Sequence, residues 1–306
     1  MNVKLLKNNQ IDKYRWDETI KSSYNAMVYG FSWYLDIVCP GWSALITEDY
    51  QYIMPVPSKK KWFFKVALQP YFAQQLGIFS PNKITTGIIK VFFEKLSKSF
   101  SYVELNMNKV LNLSGLGYRF SENTTYELDL ISSYNVLKQQ YNENTKRNLK
   151  KCEKSGVQIS ENLSQANFLK FFKKNIDEQL GILKEKDYQK ISKIIKLHKF
   201  PHFMPLIIGA YVNDELSATA FFIKSSDRVF YLFGASSEQG KKTLAMFKII
   251  DFVIKKFANK NVVLDFEGSN IANIARMYHG FGAKPYSYHT LCINNLPIFL
   301  KKKNRK

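Results

Sequence analysis

Residues 88–108, IIKVFFEKLSKSFSYVELNMN, and residues 249–269, IIDFVIKKFANKNVVLDFEGS, carry one pattern at a constant offset of 161 positions (249 − 88) with no gap. In both, apolar side chains fall at i, i+1, i+4, i+5 and i+8. They are Ile88, Ile89, Phe92, Phe93 and Leu96 in the first and Ile249, Ile250, Val253, Ile254 and Phe257 in the second. That spacing lays a stripe along one side of a helix, as packing on a sheet requires. The period then drops to two. Val103, Leu105 and Met107 alternate with Glu104, Asn106 and Asn108, and Leu264 and Phe266 alternate with Asp265, Glu267 and Ser269. Each helix is therefore predicted to feed a strand, and a chain that does this twice at one distance is constrained to a repeated α/β unit.

A second stretch extends the repeat. ALITEDYQYIMPVP from Ala44 lies over AYVNDELSATAFFI from Ala210 at an offset of 166 (210 − 44), with Glu48 and Asp49 over Asp214 and Glu215 at a predicted hairpin turn. The offset changes because the segment between Val56 and Phe72, which contains SKKKWFFKVALQPY, is longer by five residues (16 − 11) than that between Phe222 and Phe233. Insertions at hairpin tips cost little. A shared order of hairpin, strand, helix and strand predicts a tandem duplication, cut into an N-terminal copy at 1–130 and a C-terminal copy at 131–306.

With 306 residues, the chain is long for one core and suits two. No apolar run approaches the ~18 residues that span a bilayer, and MNVKLLKNNQIDKYRWDE lacks the apolar centre of a signal peptide. Cys39, Cys152 and Cys292 are odd in number, far apart and without metal-ligand spacing, so neither a disulfide framework nor a metal site is expected, and a reducing cytoplasm suits them. The net charge of +20 attracts phosphate, whether of nucleic acid or of lipid. Nearly all of it is lysine, in company with abundant Asn, Ile, Phe and Tyr, so AT-rich codon usage accounts for more than half of the excess. The remainder suits an anionic substrate. The terminal KKKNRK is expected to be disordered, with contact to anionic lipid as the alternative.

Along the first copy, a strand near 3–6 and an aromatic helical region through Trp16 and 31–38 precede strands near 43–48, 50–56 and 62–72. Ser80 and Pro81 are predicted to open the helix as N-cap and first helical residue, and YRFSENTTYELDL to close the copy near 130. Helices then run to Gly156. The second copy reads as two lysine-rich helices separated near 181–186, strands at 205–212, 216–224 and 228–235, a helix at 241–257, a strand at 261–267, a helix at 271–280 and a last strand at 285–294.

That order resembles the acetyltransferase fold of the GNAT superfamily, and two copies in one chain resemble the Fem-type aminoacyltransferases. The sharpest motif is NIARMYHGFGAKP at 273–285, where Asn273, Ala275, Tyr278 and Gly282 are similar to the family's fourth-helix pattern. The resemblance implies that Tyr278 donates a proton to a departing thiolate, against the alternative that its ring only packs between helix and sheet. It also implies a phosphate-binding turn at GASSEQGKKTLAMFK, where Gly234, Ala235, Ser236, Gln239, Gly240, Lys241 and Lys242 would meet the donor. Here the chain departs from the pattern, since Gln239 is followed at once by Gly240 and Leu244 occupies the place of the second small residue. Acyl-CoA and aminoacyl-tRNA therefore both stand as donors.

Asp265 and Glu267, two residues apart on one predicted strand, would point to the same face and offer a base for an attacking amine. Glu104 occupies the Asp265 position of the first copy, which has lost the other donor features, and this favours a structural duty for the acid over a catalytic one. On the predicted helix at 142–154, Arg147, Lys151 and Lys154 share a face, and Arg147 is suited to bidentate binding of phosphate or carboxylate. Arg147 and Lys151, with Gln74 and Gln75 of a QQLG string that also looks Fem-like, form the expected acceptor side. In the first copy, Leu113 stands where Tyr278 does and Pro81 takes a backbone donor from the equivalent turn, so that copy is expected to be degenerate and to shape the cleft. His279 and His289 show no triad or metal pattern. The resulting expectation is an acyl- or aminoacyl-transferase, using a small-molecule or lipid-linked amine acceptor with tRNA as a possible partner. Its rival is a non-catalytic RNA- or phosphate-binding protein on a decayed transferase fold.

Overall fold

The computed structural model describes residues 1–61, 63–180, 183–197, 203–268 and 270–297. The tail at 301–306, Gly181 and Ser269 lie outside the described residues. The chain forms two compact units, one from residues 1–123 with 287–306 and the other from 124–286. They are drawn from these segments rather than from the contiguous stretches 1–130 and 131–306.

The first unit holds β1 (Val3–Lys7), α1 (Lys13–Ser22), α2 (Ser32–Val38), β2 (Ser43–Thr47), β3 (Ile53–Val56), β4 (Ser58–Lys61), β5 (Phe64–Leu68), α3 (Thr86–Ser99) and β6 (Tyr102–Asn106). Antiparallel β1, β2 and β3 make one sheet, while β4, β5 and β6 are joined in the other by the end of the chain. The apolar stripe of α3 is buried at Ile89, Phe92, Phe93 and Leu96, against Val103 and Leu105 of β6 and Met54 and Val56 of β3. Trp16, Tyr29, Tyr34 and Trp42 are fully buried, so this aromatic region is core.

The second unit holds α4 (Tyr134–Gln139), α5 (Glu143–Lys154), β8 (Gln158–Ser160), α6 (Gln165–Leu180), α7 (Glu185–Ile195), β9 (Phe203–Val212), β10 (Glu215–Ser225), β11 (Arg228–Ser236), α8 (Glu238–Thr243), α9 (Ala245–Phe257), β12 (Val263–Asp265) and α10 (Ala272–Gly280). Two long strands carry the chain from one unit to the other and back, β7 (Arg119–Asp129) and β13 (Lys284–Asn294). In the second unit the strand order is β7-β12-β11-β10-β9-β8. The stripe of α9, from Ile249 to Phe257, is buried on this sheet. Asn213 and Asp214 take positive φ at both positions of the β9–β10 turn, which is what a two-residue hairpin of this hand needs.

The repeat is written into strand pairing. In the first unit β5 runs parallel to β6 from Val66↔Tyr102, and in the second β11 runs parallel to β12 from Arg228↔Val263. Tyr102 and Val263 are 161 positions apart (263 − 102), the offset of the sequence repeat. The next strand differs from expectation. YRFSENTTYELDL does not close the first unit, because Leu128 pairs with Leu264 of β12, whereas Leu291 and Ile293 of β13 pair with Leu105 and Val103 of β6. Leu128 and Leu130 are buried in the second core and Leu291 and Ile293 in the first, so each strand follows its apolar side chains.

Three further boundaries shift for identifiable reasons. Helix α3 opens at Thr86 rather than at Pro81. Phe79 is bound to Ile53 by two backbone hydrogen bonds of 3.0 and 2.7 Å, and the Ser80 hydroxyl accepts from Asn82 N at 2.9 Å. That stretch is thus committed to covering β3, and Thr85 caps the helix instead, its hydroxyl accepting from Ile88 N. The helix expected at 241–257 is two helices, broken at Leu244 with φ of 61°. The Cys152 thiol on α5 donates to the Leu244 carbonyl at 3.2 Å and so holds the break. Finally, β12 ends at Asp265, whose carboxylate accepts from Glu267 N at 2.9 Å and turns the chain, leaving Glu267 at φ of 56°.

Candidate active site

Parallel pairing of β11 with β12 lasts for three residue pairs and ends at Phe230↔Asp265. Beyond it, β11 continues to Ser236 beside β10, while the other chain turns away through Phe266 and Glu267. A notch opens between the two strands. Its floor is made by the first residue past the pairing on each side, Tyr231 and Phe266, and Tyr278 of α10 sits upon them. The Tyr278 ring stacks on Phe266 at 4.4 Å between centroids and meets Tyr231 edge-on at 6.3 Å and Tyr126 of β7 at 6.1 Å. Tyr126 is set by its carbonyl, which accepts from Phe266 N at 3.0 Å.

Tyr278 is 6% exposed, and its hydroxyl makes no hydrogen bond among the described residues. Burial first, then the neighbouring Tyr231 phenol and the Glu267 carboxylate, hold its pKa well above that of a free phenol. Burial raises Tyr231 likewise. The Tyr231 hydroxyl donates to Met246 Sδ at 3.3 Å and lies over Gly234, where a side-chain carbon would collide with it. Both phenols are therefore protonated throughout the neutral range. Away from the notch, Tyr134 and Tyr141 donate to the buried Asp251 and are raised by burial and by its charge.

These four phenols predict an alkaline limit to stability. Their folded-state pKa values lie above the ~10 of an unfolded tyrosine, so the unfolded chain loses the protons first. Stability is unaffected below about pH 10 and falls as pH rises beyond it. Denaturant midpoints taken across this range are expected to drop on the alkaline side, and a flat profile there would show that the phenols are not buried.

Asp265 and Glu267 do not share a strand face. Asp265 is fully buried within an ionic cluster, where Arg228 Nη1 lies 2.8 Å from Glu127 Oε1 and 3.3 Å from Asp265 Oδ2. Thr125 donates to the other Asp265 oxygen at 3.4 Å. Burial opposes the charge on Arg228, but Glu127 and then Asp265 outweigh it and raise the guanidinium pKa. Three strands, β7, β11 and β12, are tied at the point where the notch begins. Glu104, at the same repeat position, is exposed and accepts from the Tyr102 hydroxyl at 2.5 Å, so the two copies do not share this duty. Glu267 is half-buried beyond the turn, close enough to Tyr278 to act on its pKa.

Gly234, Ala235 and Ser236 lie on the stretch of β11 past the pairing with β12, each with a register partner on β10. Ser237 caps α8, accepting from Gly240 N at 3.1 Å while its hydroxyl donates to the Ser217 carbonyl at 3.1 Å. Gln239 faces the Ser217 hydroxyl, and Lys241 is paired with Glu238 at 2.6 Å. Lys242 is exposed. Gly240 is buried so tightly on β10 that an added side-chain carbon would collide with the Ser217 carbonyl. Its lack of a side chain serves helix-to-strand contact. Gly240→Ala is expected to cost about 1–3 kcal/mol, the usual penalty of overpacking, measured as a lower urea midpoint. An unchanged midpoint would mean that α8 moves freely on β10.

On α5, Arg147, Lys151 and Lys154 are all exposed, and Arg147 donates to Asn144 of its own helix at 2.8 Å. A surface groove of about 390 Å³ beside them is lined by Lys146, Arg147 and Lys150 together with Glu143 and Glu153, so its charge is mixed. Gln74 and Gln75 belong to the first unit. Gln75 is fully buried, donating to Gln74 Oε1 and accepting from Lys109 N, both at 2.9 Å. In that unit Leu113 packs on the core from an irregular segment, and no helix equivalent to α10 occurs among the described residues between β6 and β7. Tyr231, Tyr126, Arg228 and Glu127 are not among the residues that the sequence motifs single out, whereas Asp265 is. A sequence signal existed for Arg228 alone, as one of few arginines in a lysine-rich chain.

Among the described residues no group of three or more His, Cys, Asp or Glu is arranged to hold a metal ion, and no helix is long and apolar enough to cross a membrane. No protein-family model and no curated protein matches the chain by sequence. Solved structures do. A crystal structure of FemX is similar over 100% of both chains, with 11% identity and a TM-score of 0.69. The C-terminal domain of a putative lysylphosphatidylglycerol synthetase from Agrobacterium fabrum is similar over 97% of this chain and 95% of its own, with 8% identity and a TM-score of 0.59. A tandem GNAT protein from the clavulanic acid biosynthesis pathway aligns over 97% and 99%, with 9% identity and a TM-score of 0.53. The mixed α/β chain described here has the Fem-like fold of two tandem GNAT-like units.

Proposed function

We propose that the protein is an acyl- or aminoacyl-transferase that moves an acyl group from an activated donor to an amine, with Tyr278 as the acid. The observation that carries this reading is a protonated phenol without a hydrogen-bond partner, held by three aromatic rings where two strands part. In the reaction, the neutral amine attacks the acyl carbonyl carbon, the C–N bond forms and the bond to the leaving oxygen or sulfur breaks. The leaving group takes the Tyr278 proton, and the proton shed by the amine passes through water to restore the phenol. Backbone N–H groups near Gly234 to Ser236 stabilise the oxyanion between these steps. Asp265 is assigned the role of strut and Glu267 that of the nearest carboxylate for proton relay.

The raised phenol favours an ester donor. A phenol well above its usual pKa would pass a proton uphill to a thiolate, whose parent acid is near 8.5, and is better matched to the more basic alkoxide. The closed turn at Ser237 to Gly240, with Lys241 already paired, points the same way, away from acyl-CoA and toward aminoacyl-tRNA. A small or lipid-linked amine in cell-envelope metabolism is the matching acceptor class. Mass spectrometry of the purified protein for co-purified CoA esters or tRNA, followed by transfer assays with each, tests the reading. Salt-dependent RNA affinity with no product from any acyl donor would replace it with the binding-protein alternative.

A further inference from the structure

The β4–β5 hairpin of the first unit carries a surface that the transfer chemistry does not use. Phe63 at its tip is 100% exposed, and Lys59, Lys60, Lys61 and Lys65 around it are exposed as well. Trp62 lies outside the described residues. Register places Lys60 directly opposite Lys65, a like-charge pair that weakens a hairpin by itself. No counter-charge lies nearby along the chain. From residue 50 to residue 93 the chain contains neither Asp nor Glu, and none of the four lysines makes an ion pair among the described residues.

The hairpin also projects. β5 begins two residues before its first partner on β6, Val66↔Tyr102, whereas β11 is partnered on β12 from its first residue, Arg228. The corresponding β10–β11 turn of the second unit is Ser226 and Asp227, with no apolar tip. Lysines on an edge strand alone would be read as protection against edge pairing. A bare phenylalanine at the tip undoes such protection, so the combination calls for another explanation.

We propose that this hairpin docks the protein on an anionic lipid surface, with the four lysines on headgroup phosphates and Phe63 entering the interface. An apolar tip ringed by lysines fits the layered chemistry of a bilayer edge, where charge lies outside and hydrocarbon inside. A single-stranded nucleic acid is matched less well, since stacking platforms spread aromatic rings along a groove. The inference stands independently of the transferase reading.

The test is co-sedimentation of the full chain with vesicles of phosphatidylcholine alone and of phosphatidylcholine containing one-third phosphatidylglycerol. Binding is expected to the anionic vesicles only. Phe63→Ala should weaken it several-fold with little change in salt dependence. Replacing the four lysines by glutamine should weaken it by at least about tenfold, each lysine near an anionic surface being worth up to about fivefold. Circular dichroism should match wild type and melting should occur at no lower temperature, as the altered side chains are exposed and the lysine variant relieves a like-charge pair. Equal binding by wild type and both variants would overturn the proposal and place any membrane affinity elsewhere on the chain. Loss of RNA binding in the lysine variant, without any vesicle binding by wild type, would overturn it in favour of a nucleic-acid partner. Transfer assays on soluble substrates should be unaffected by these variants, which separates failure here from failure of the catalytic assignment.

Discussion

Tyr278→Phe is expected to lower the transfer rate by about a hundredfold or more, the usual contribution of a positioned general acid, with no loss of stability. The substitution keeps the ring that stacks on Phe266 and meets Tyr231 and Tyr126, and it removes a hydroxyl that makes no hydrogen bond among the described residues. Deleting a hydroxyl that has no protein partner breaks no hydrogen bond of the fold. The measurement is kcat and KM with donor concentration varied, beside a thermal melt. A loss confined to kcat marks an interaction made in the transition state. Unchanged kcat with intact melting would sink the acid role and leave Tyr278 as packing. Tyr231→Phe serves as the companion, since its hydroxyl contacts Met246 and is expected to matter less.

Arg228→Met should destabilise the protein strongly, by about 3–5 kcal/mol, because removing one member of a buried ionic cluster strands the others. Glu127 is 6% exposed and Asp265 is not exposed at all, so neither carboxylate can recover its hydration where it stands. The expected result is a large fall in urea midpoint, accompanied by loss of the β11–β12 pairing in hydrogen exchange. Converting Glu127 and Asp265 to Gln and Asn in the same background should restore part of the loss, as the two sites are coupled through Arg228. Asp265→Asn alone, with Arg228 kept, separates the two roles open to Asp265. A strut loses stability when replaced, whereas a base loses rate while the fold holds. A small effect of Arg228→Met would show that the three strands are tied by backbone pairing alone.

Much of the architecture was legible from residue spacing. The stripes of α3 and α9 and the alternation of β6 were read correctly, as were the β2–β3 and β9–β10 hairpins, because side-chain periodicity reports which face of a local segment is buried. Tyr278 enters the candidate site through the motif around it. Its surroundings were not legible, for Tyr126 and Tyr231 come from two strands and Phe266 from the turn after a third, and no spacing links them. Element ends were also lost where a side chain competes with the backbone ladder. Asp265 captures Glu267 N and stops β12, and Ser80 captures Asn82 N where a helix start was expected. Such local capture depends on where the chain already has to turn.

By itself, the sequence determined that one helix-to-strand unit is used twice at a distance of 161 residues, since periodic burial is a property of neighbouring residues. Only the tertiary structure decided that residues 124–129 complete the second sheet and residues 287–294 the first. It also decided that Arg228, Glu127 and Asp265 meet at the start of the notch. Both outcomes depend on register between segments more than a hundred residues apart, chosen by which core accepts Leu128 and which accepts Leu291. A pattern along the chain specifies a face, and the partner of that face is settled by the packing of the whole unit.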